Sequence, residues 1–263
     1  MIHEVAVLGG GIAGAAAALR LAQGGQRPLW IAAKRGAAFK PGEHLSAAAI
    51  PLLKTLRSDA MLRAEAHRHA HSTYSAWGSD LLVERNAIVQ LEGPPTVLDR
   101  AVFEDTLTAQ AIAAGATRIA CDVDEVQVVD GSWQLHTTEG RVAAGFIFDA
   151  TGRKAVVAAR YGTRFQADKL CCQYALFTGA NAPRPVTLIE AVEHGWWYMS
   201  VLADGRVVLN YYTDPDLLGL DPAEQLAALT RRHADAVYRV ALSVTRDADL
   251  AEDVSQDALL KAW

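Results

Sequence analysis

Cysteine is scarce in this 263-residue chain: Cys121, Cys171 and Cys172 are the only three. An odd count with one adjacent pair does not make a disulfide framework, so a reducing, cytoplasmic setting is expected. Long apolar runs are missing as well. The stretch from Val5 to Leu19 is short for a membrane span and is broken by Gly9, Gly10, Gly11 and Gly14, so no membrane segment is expected. The first residues, Met1-Ile2-His3-Glu4, lack the positive region of a signal peptide. Positive charge is not in excess. With 25 Lys and Arg against 30 Asp and Glu the formal net charge is −5, which excludes nucleic-acid binding through overall charge. Glycine and proline are both absent from residues 223–263, and only there does so long a stretch lack both. What remains is 51% apolar and 21% charged, enough for a sizeable core in one large domain or two modest ones.

Val5–Leu8 is a short apolar run followed at once by glycines and then by an alanine-rich stretch from Ala13 to Ala22. Strand, tight turn and helix are expected, with Gly24-Gly25 ending the helix. Pro28–Ala32 reads as the next parallel strand. Ser46–Leu56 reads as a helix with Pro51 as a kink or restart. Val102, Phe103, Leu107, Ala111 and Ala114 recur with helical period. Three strands follow between Arg118 and Asp149, turning at Asp130-Gly131 and Glu139-Gly140. Further strands are expected from Val186 to Tyr212, and a helix pair after Pro222.

Gly9-Gly10-Gly11-Ile12-Ala13-Gly14 fits G-x-G-x-x-G between a predicted strand and a predicted helix. The first glycine permits a sharp turn and the second lets the backbone approach a pyrophosphate. The third lets helix and strand pack closely, with the phosphate at the positive helix end. A carboxylate that receives the adenosine ribose is expected about twenty residues on. Ala33 stands there, followed by Lys34 and Arg35, which could reach a phosphate or simply carry surface charge.

Several further blocks occur in order: Gly42-Glu43-His44-Leu45, Leu98-Asp99-Arg100-Ala101-Val102-Phe103, Asp149-Ala150-Thr151-Gly152-Arg153, and Ile189-Glu190-Ala191 through Gly195-Trp196-Trp197-Tyr198. Through them the chain, over about residues 3–218, resembles the flavoprotein family of aromatic hydroxylases, flavin-dependent halogenases and geranylgeranyl reductases. The resemblance implies an α/β fold with a Rossmann-like parallel sheet binding FAD or NAD(P), and FAD as the cofactor. It implies an FAD-binding domain over 1–75 and 97–163, and a partial β-rich substrate domain over 76–96 and 164–220. Gly9, Gly11, Ala13, Gly14, Glu43, Arg100, Thr151 and Gly152 are then expected at the cofactor. Trp196, Trp197 and Tyr198 are expected at an aromatic substrate, although paired tryptophans such as Trp196 and Trp197 more often serve as core. NAD(P)H or a flavin reductase would supply electrons. The substrate would be a small aromatic molecule or an aromatic side chain of a protein, as in flavoproteins that mature quinone cofactors.

The halogenase pattern G-W-x-W-x-I-P would fall at Gly195–Val201, where Tyr198 replaces the second Trp and Val201 replaces the Pro. The stretch from His67 to Trp77, where the halogenase lysine would lie, has no lysine, so halogenation is not expected. His67, His69 and His71 alternate, but no carboxylate or cysteine flanks them in ligand spacing. They read as a solvated helix face rather than a metal site. Cys171-Cys172 reads as strand packing.

After Tyr212 the chain lacks the Gly-Asp segment that such flavoproteins use to hold the ribityl phosphate, so flavin affinity is expected to be impaired. Residues 225–263 instead resemble the start of region 2 of extracytoplasmic-function sigma factors, through Tyr238-Arg239, Ala251-Glu252-Asp253, Gln256-Asp257 and Ala262-Trp263. Asp253, Gln256 and Asp257 share one helix face, and the resemblance implies that they contact RNA polymerase. The part that reads promoter DNA is missing, so direct DNA binding is not expected. A gene fusion, a frameshift or a rearranged reading frame would join the two parts near Pro222–Leu229.

Overall fold

The computed structural model describes residues 2–34, 36, 39–79, 81, 83–87, 91–177 and 186–217, and also 238, 242, 248, 249 and 251. The chain divides into two compact units. One holds Met1–Lys40, Leu53–Met61 and Ala101–Gln166; the other holds Pro41–Leu52, Leu62–Arg100 and Ala167–Trp263.

In the first unit β1 (Ile2–Leu8) leads through Gly9–Gly11 into α1 (Ile12–Gln23), and β2 (Leu29–Ile31) follows. The last four residues of β1 are buried, as expected for a strand central to its sheet. In the second unit β3 (His44–Leu45) comes next, then a 3-10 turn at Ala47–Ala49. α2 (Ile50–Thr55) carries Pro51 in its first turn, where a missing N–H costs no helical bond. Then come β4 (Arg68–His69), β5 (Ser72–Ala76), β6 (Val83–Asn86) and β7 (Thr96–Val97). α3 (Arg100–Ala113) buries Phe103, Leu107 and Ala111 as its period requires, while Val102 stays 37% exposed. The chain continues through β8 (Thr117–Ile119), β9 (Val123–Val129), β10 (Ser132–Thr137), β11 (Gly140–Asp149) and the short α4 (Ala158–Tyr161). The final strands are β12 (Cys171–Phe177), β13 (Val186–Val192), β14 (Gly195–Val201) and β15 (Val207–Thr213).

The first unit is built on a six-stranded sheet in the order β8-β2-β1-β11-β10-β9. β8, β2, β1 and β11 run parallel, and β10 and β9 continue antiparallel through the two predicted hairpin turns. Its core joins Ala6, Leu8, Leu29, Ile31, Val126, Leu135 and Ala144. Strand order and direction are those expected of a dinucleotide-binding sheet, in which a ligand lies beyond the carboxyl ends of the parallel strands.

The second unit is β-rich. Its larger sheet runs β12-β15-β14-β13-β5-β6, antiparallel except where β13 lies parallel to β5. A three-stranded sheet, β3-β7-β4, gathers Gly42–Leu45, His67–His69 and Thr96–Arg100. The histidine segment is therefore extended rather than helical. His69 pairs in β4, and His67 is buried with Nδ1 accepting from Asp99 N at 3.2 Å. The solvated helix face anticipated there is corrected by strand pairing. In the tail Tyr238, Leu242, Ala248, Asp249 and Ala251 are helical. The proposed joint and Asp253, Gln256 and Asp257 lie outside the described residues.

Candidate functional site

Two clusters carry the expected site residues, one in each unit. The first is the turn after β1. Gly9 sits at φ +118°, and a Cβ there would lie 2.1 Å from Ala150 O. Gly9 N donates to Ile31 O at 2.8 Å, and Trp30 Nε1 donates to Gly9 O at 2.8 Å. The turn is thus pinned from β2. A Cβ on Gly14 would lie 1.9 Å from Gly9 O, so the third glycine is dictated by helix-to-turn packing. Gly11 differs from both. It is the N-cap of α1 with extended backbone, and nothing lies within 4 Å of the position its Cβ would take. Ala13, in the first helical turn, is exposed, and no acidic residue occupies that turn. The first N–H groups of a helix have no intrahelical acceptor and favour an anion.

Asp149, at the end of β11, organises the second wall. One oxygen accepts from Thr151 N at 3.1 Å and from Thr151 Oγ1 at 2.6 Å; the other accepts from Val157 N and Ala158 N, each at 2.9 Å. Partial burial pushes this carboxyl up, but the four hydrogen bonds to its charged form overcome that and hold it below the usual range. Thr151 Oγ1 also accepts from Val156 N at 2.9 Å, so the Thr151 hydroxyl is spent on the loop. Gly152 takes φ +65°, which opens a 3-10 turn over Gly152–Lys154. Between the glycine turn and this loop lies a cleft of about 330 Å³, also lined by Ala33, Lys34, Arg118, Asp122 and Lys154.

These residues fit the pyrophosphate of a dinucleotide. Open space at Gly11, an acid-free helix start and a cationic wall are what such a group requires. The fit stops at the ribose, because Ala33 lines the cleft where a carboxylate would receive its hydroxyls.

The second cluster begins at Gly42-Glu43. Gly42 has φ +109°, and a Cβ there would lie 2.7 Å from Arg100 Nη1. Arg100 Nη1 donates to Pro41 O, and Leu98 N donates to Glu43 O at 2.6 Å. Arg100 thus secures the turn that presents Glu43. Asp99 pairs with Arg206 at 3.2 Å. Glu43 is only 2% exposed; its Oε2 accepts from Gly42 N at 2.9 Å, while Oε1 has no partner among the described residues.

Strand register decides which aromatics meet. In β14, Trp196, Tyr198 and Ser200 face one way and pair with Tyr212, Asn210 and Val208. Cys172 lies opposite Tyr212, and Thr187 opposite Ser200. Trp196 stacks on Tyr212 at 5.1 Å and 9°, and the exposed Trp77 lies 6.1 Å from Trp196. His44 meets Tyr198 edge-on at 6.4 Å. Trp197 points to the opposite face, is 4% exposed and packs on Tyr211 at 4.6 Å. The structure therefore brings Trp196 and Tyr198 together and places Trp197 apart from them.

This face is rich in buried polar atoms. Tyr198 Oη, Ser200 Oγ, Thr187 Oγ1 and His44 Nδ1 have no hydrogen-bond partner among the described residues. Burial, and then the Glu43 charge, push Tyr198 well above the ordinary tyrosine value. The Ser200 and Thr187 hydroxyls pull it back, although neither reaches hydrogen-bonding geometry. Burial, with Cys172 and Glu43 nearby, pushes Tyr212 up to about 12. Burial likewise lowers His44. It raises the Cys172 thiol too, which makes that group a poor thiolate nucleophile near neutral pH.

Sequence reasoning did not single out Arg118, Asp122 or Lys154 in the cleft, nor Tyr212, Thr187 and Ser200 on the sheet face, and it read Cys172 only as strand packing. Arg118 lies on β8, with β2 between it and the strand that leads into the glycine turn, and the sheet-face residues depend on register. No local signal marks either.

The Tryptophan halogenase family model matches residues 95–216, and the Sigma-70 region 2 model matches residues 229–263. Up to about residue 216 the chain is thus similar to FAD-dependent halogenase- and monooxygenase-type flavoproteins, and a stretch that matches Sigma-70 region 2 follows. Among particular relatives, it is 28% identical over 226 residues to the putative FAD-dependent oxidoreductase LodB of Marinomonas mediterranea, covering 82% of this chain and 61% of that one. The peptidyl tryptophan dihydroxylase QhpG, essential for tryptophylquinone cofactor biogenesis, superposes with a TM-score of 0.71 at 25% identity, over 88% of this chain and 51% of QhpG. The halogenase PltM, solved with phloroglucinol and FAD, gives a TM-score of 0.74 at 17% identity, over 87% of this chain and 55% of its own, and shares the fold. The chain spans between half and two thirds of the length of these relatives. Among the described residues no helix is long and apolar enough to cross a membrane.

Proposed function

We propose that this chain is the cofactor- and substrate-binding part of an FAD-dependent monooxygenase-type oxidoreductase acting on an aromatic group, with a tryptophan side chain of a protein as the favoured substrate. The observation that carries the reading is the glycine turn. Gly9 and Gly14 are fixed by backbone contacts under about 2.2 Å, while Gly11 is left facing open space. A turn that served only to reverse the chain would not need that opening. LodB and QhpG support the flavin assignment, and QhpG supports a peptidyl aromatic substrate. The absence of lysine from His67 to Trp77 favours oxygenation over halogenation.

FAD, when bound, supplies the redox chemistry. Gly11 and the start of α1 receive its pyrophosphate, and Thr151 and Gly152 shape the opposite wall. Glu43, set by Gly42 and Arg100, offers an unpaired carboxylate oxygen inside the second unit. Trp77, Trp196 and Tyr212 form an aromatic platform, and Tyr198 stays protonated as a hydrogen-bond donor across the physiological range. The test is oxygen-dependent turnover of a tryptophan-containing peptide, with FAD and either NAD(P)H or a flavin reductase. Oxygen incorporation into the peptide supports the reading. Chlorination of the peptide with chloride present, or no turnover while FAD is bound, contradicts it.

A second reading rests on the Sigma-70 region 2 match at residues 229–263. Here the tail binds RNA polymerase through Asp253, Gln256 and Asp257. Polymerase capture that is lost in Asp253→Ala with Gln256→Ala supports it, and capture by neither protein contradicts it.

A further inference from the structure

The cleft in the first unit is more cationic than FAD requires. Lys34, Lys40, Arg118 and Lys154 line it, against the single carboxylate of Asp122. None of the four cations makes an ion pair among the described residues. Arg118 is the most constrained. Its guanidinium lies 5.4 Å from the centroid of Trp30, and its Nε is buried without a hydrogen-bond partner. Trp30 is itself fully buried and bonded to Gly9 O, so Arg118 rests on a platform tied to the pyrophosphate turn. Ala33, exposed in the same cleft, removes the carboxylate that would select a free ribose hydroxyl and repel a phosphate. The next residue, Lys34, is a cation.

From this combination we infer that the adenosine end of the cleft recognises phosphate in place of ribose hydroxyls, so that a 2′-phosphorylated adenine dinucleotide binds it more tightly than the unphosphorylated form. The inference rests on the reading of this cleft as the dinucleotide site. A carboxylate after the second strand selects the free 2′-hydroxyl, whereas a nearby basic side chain accommodates a 2′-phosphate. Arg118 and Lys34 stand in the second relation to the cleft. A pyrophosphate neutralises only part of the four-against-one charge excess, leaving cations for a further phosphate.

NAD⁺ and NADP⁺ differ only in the 2′-phosphate, and their binding to the full chain is measured by titration calorimetry together with that of FAD. NADP⁺ is expected to bind about tenfold more tightly than NAD⁺, the worth of one charge-assisted phosphate contact. That advantage should shrink as salt is raised. Lys34→Ala with Arg118→Ala should abolish the preference. Ala33→Glu, at an exposed position that leaves folding intact, should reverse it in favour of NAD⁺. Equal affinity for NAD⁺ and NADP⁺, or a preference unchanged in both variants, overturns the inference even where FAD binds. Failure of all three nucleotides to bind overturns it together with the dinucleotide-site reading.

Discussion

The two units handle polar groups in opposite ways. In the first, the site is made of backbone. Gly9, Gly11 and Gly14 contribute no side chains, and Asp149 spends both oxygens on four neighbouring donors. In the second, the site is made of side chains left unpaired. Glu43 Oε1, Tyr198 Oη, Ser200 Oγ and Thr187 Oγ1 are buried without partners among the described residues. An unsatisfied buried polar group costs roughly 1–3 kcal/mol. On the reading proposed above, a ligand would satisfy these groups on the sheet face, whereas the glycine turn is already bonded to its neighbours and would receive only an anion.

The largest effect should separate the glycines of the first unit from one another. Gly14→Val places a side chain against Gly9 O and should cost roughly 3 kcal/mol or more, lowering Tm by on the order of 10 °C in calorimetry. Gly11→Val meets open space and should change stability by no more than about 0.5 kcal/mol while abolishing dinucleotide binding. Equal melting losses in the two variants would erase the distinction between packing glycine and binding glycine.

Asp149→Ala should be milder, roughly 1–2 kcal/mol in urea unfolding, because the carboxylate is exposed and each bond is partly screened. Its lowered pKa has a sign that acid unfolding can check. The stabilisation is complete above the ordinary carboxylate range near pH 4 and is lost as pH falls through the depressed value, and Asp149→Asn should remove that dependence.

How far the sequence foretold these two sites follows the same division. The glycine turn was legible because each glycine answers a local constraint, and the parallel strand–turn–helix followed from a run of apolar residues meeting glycine. Arg100 was expected at the cofactor from its place after Asp99, and the structure shows it holding the turn at Gly42, seen once β3 and β7 pair. Trp197 reads like its neighbours in sequence, yet it points away from them because successive residues of a strand alternate. Tyr212 stacks on Trp196 only through the register of β14 on β15, which no local pattern encodes.

The second unit should show its character in pH dependence. Tyr212 is pushed up to about 12, so the unfolded chain loses this proton first, near the ordinary value of about 10. Stability from this group is therefore complete below about pH 10 and lost as pH rises towards 12; Tyr212→Phe should flatten that limb of the curve. His44 acts at the other end. Its pKa is lowered by burial, so its contribution is complete above about pH 6.5 and is lost as pH falls through the depressed value, a trend that His44→Asn should remove. The smallest effect on folding belongs to Trp77. At 60% exposure Trp77→Ala should shift stability by no more than about 0.5 kcal/mol, yet reduce turnover of an aromatic substrate.

The most direct measurement of the central claim is a titration of the purified full chain with FAD, followed by flavin absorbance and fluorescence, alongside Gly11→Val at matched stability. A dinucleotide site built on the open glycine predicts saturable FAD binding by the native chain and none by Gly11→Val. A chain that gains no flavin absorbance at any FAD concentration, or a Gly11→Val variant that binds FAD as well as the native protein, would contradict it.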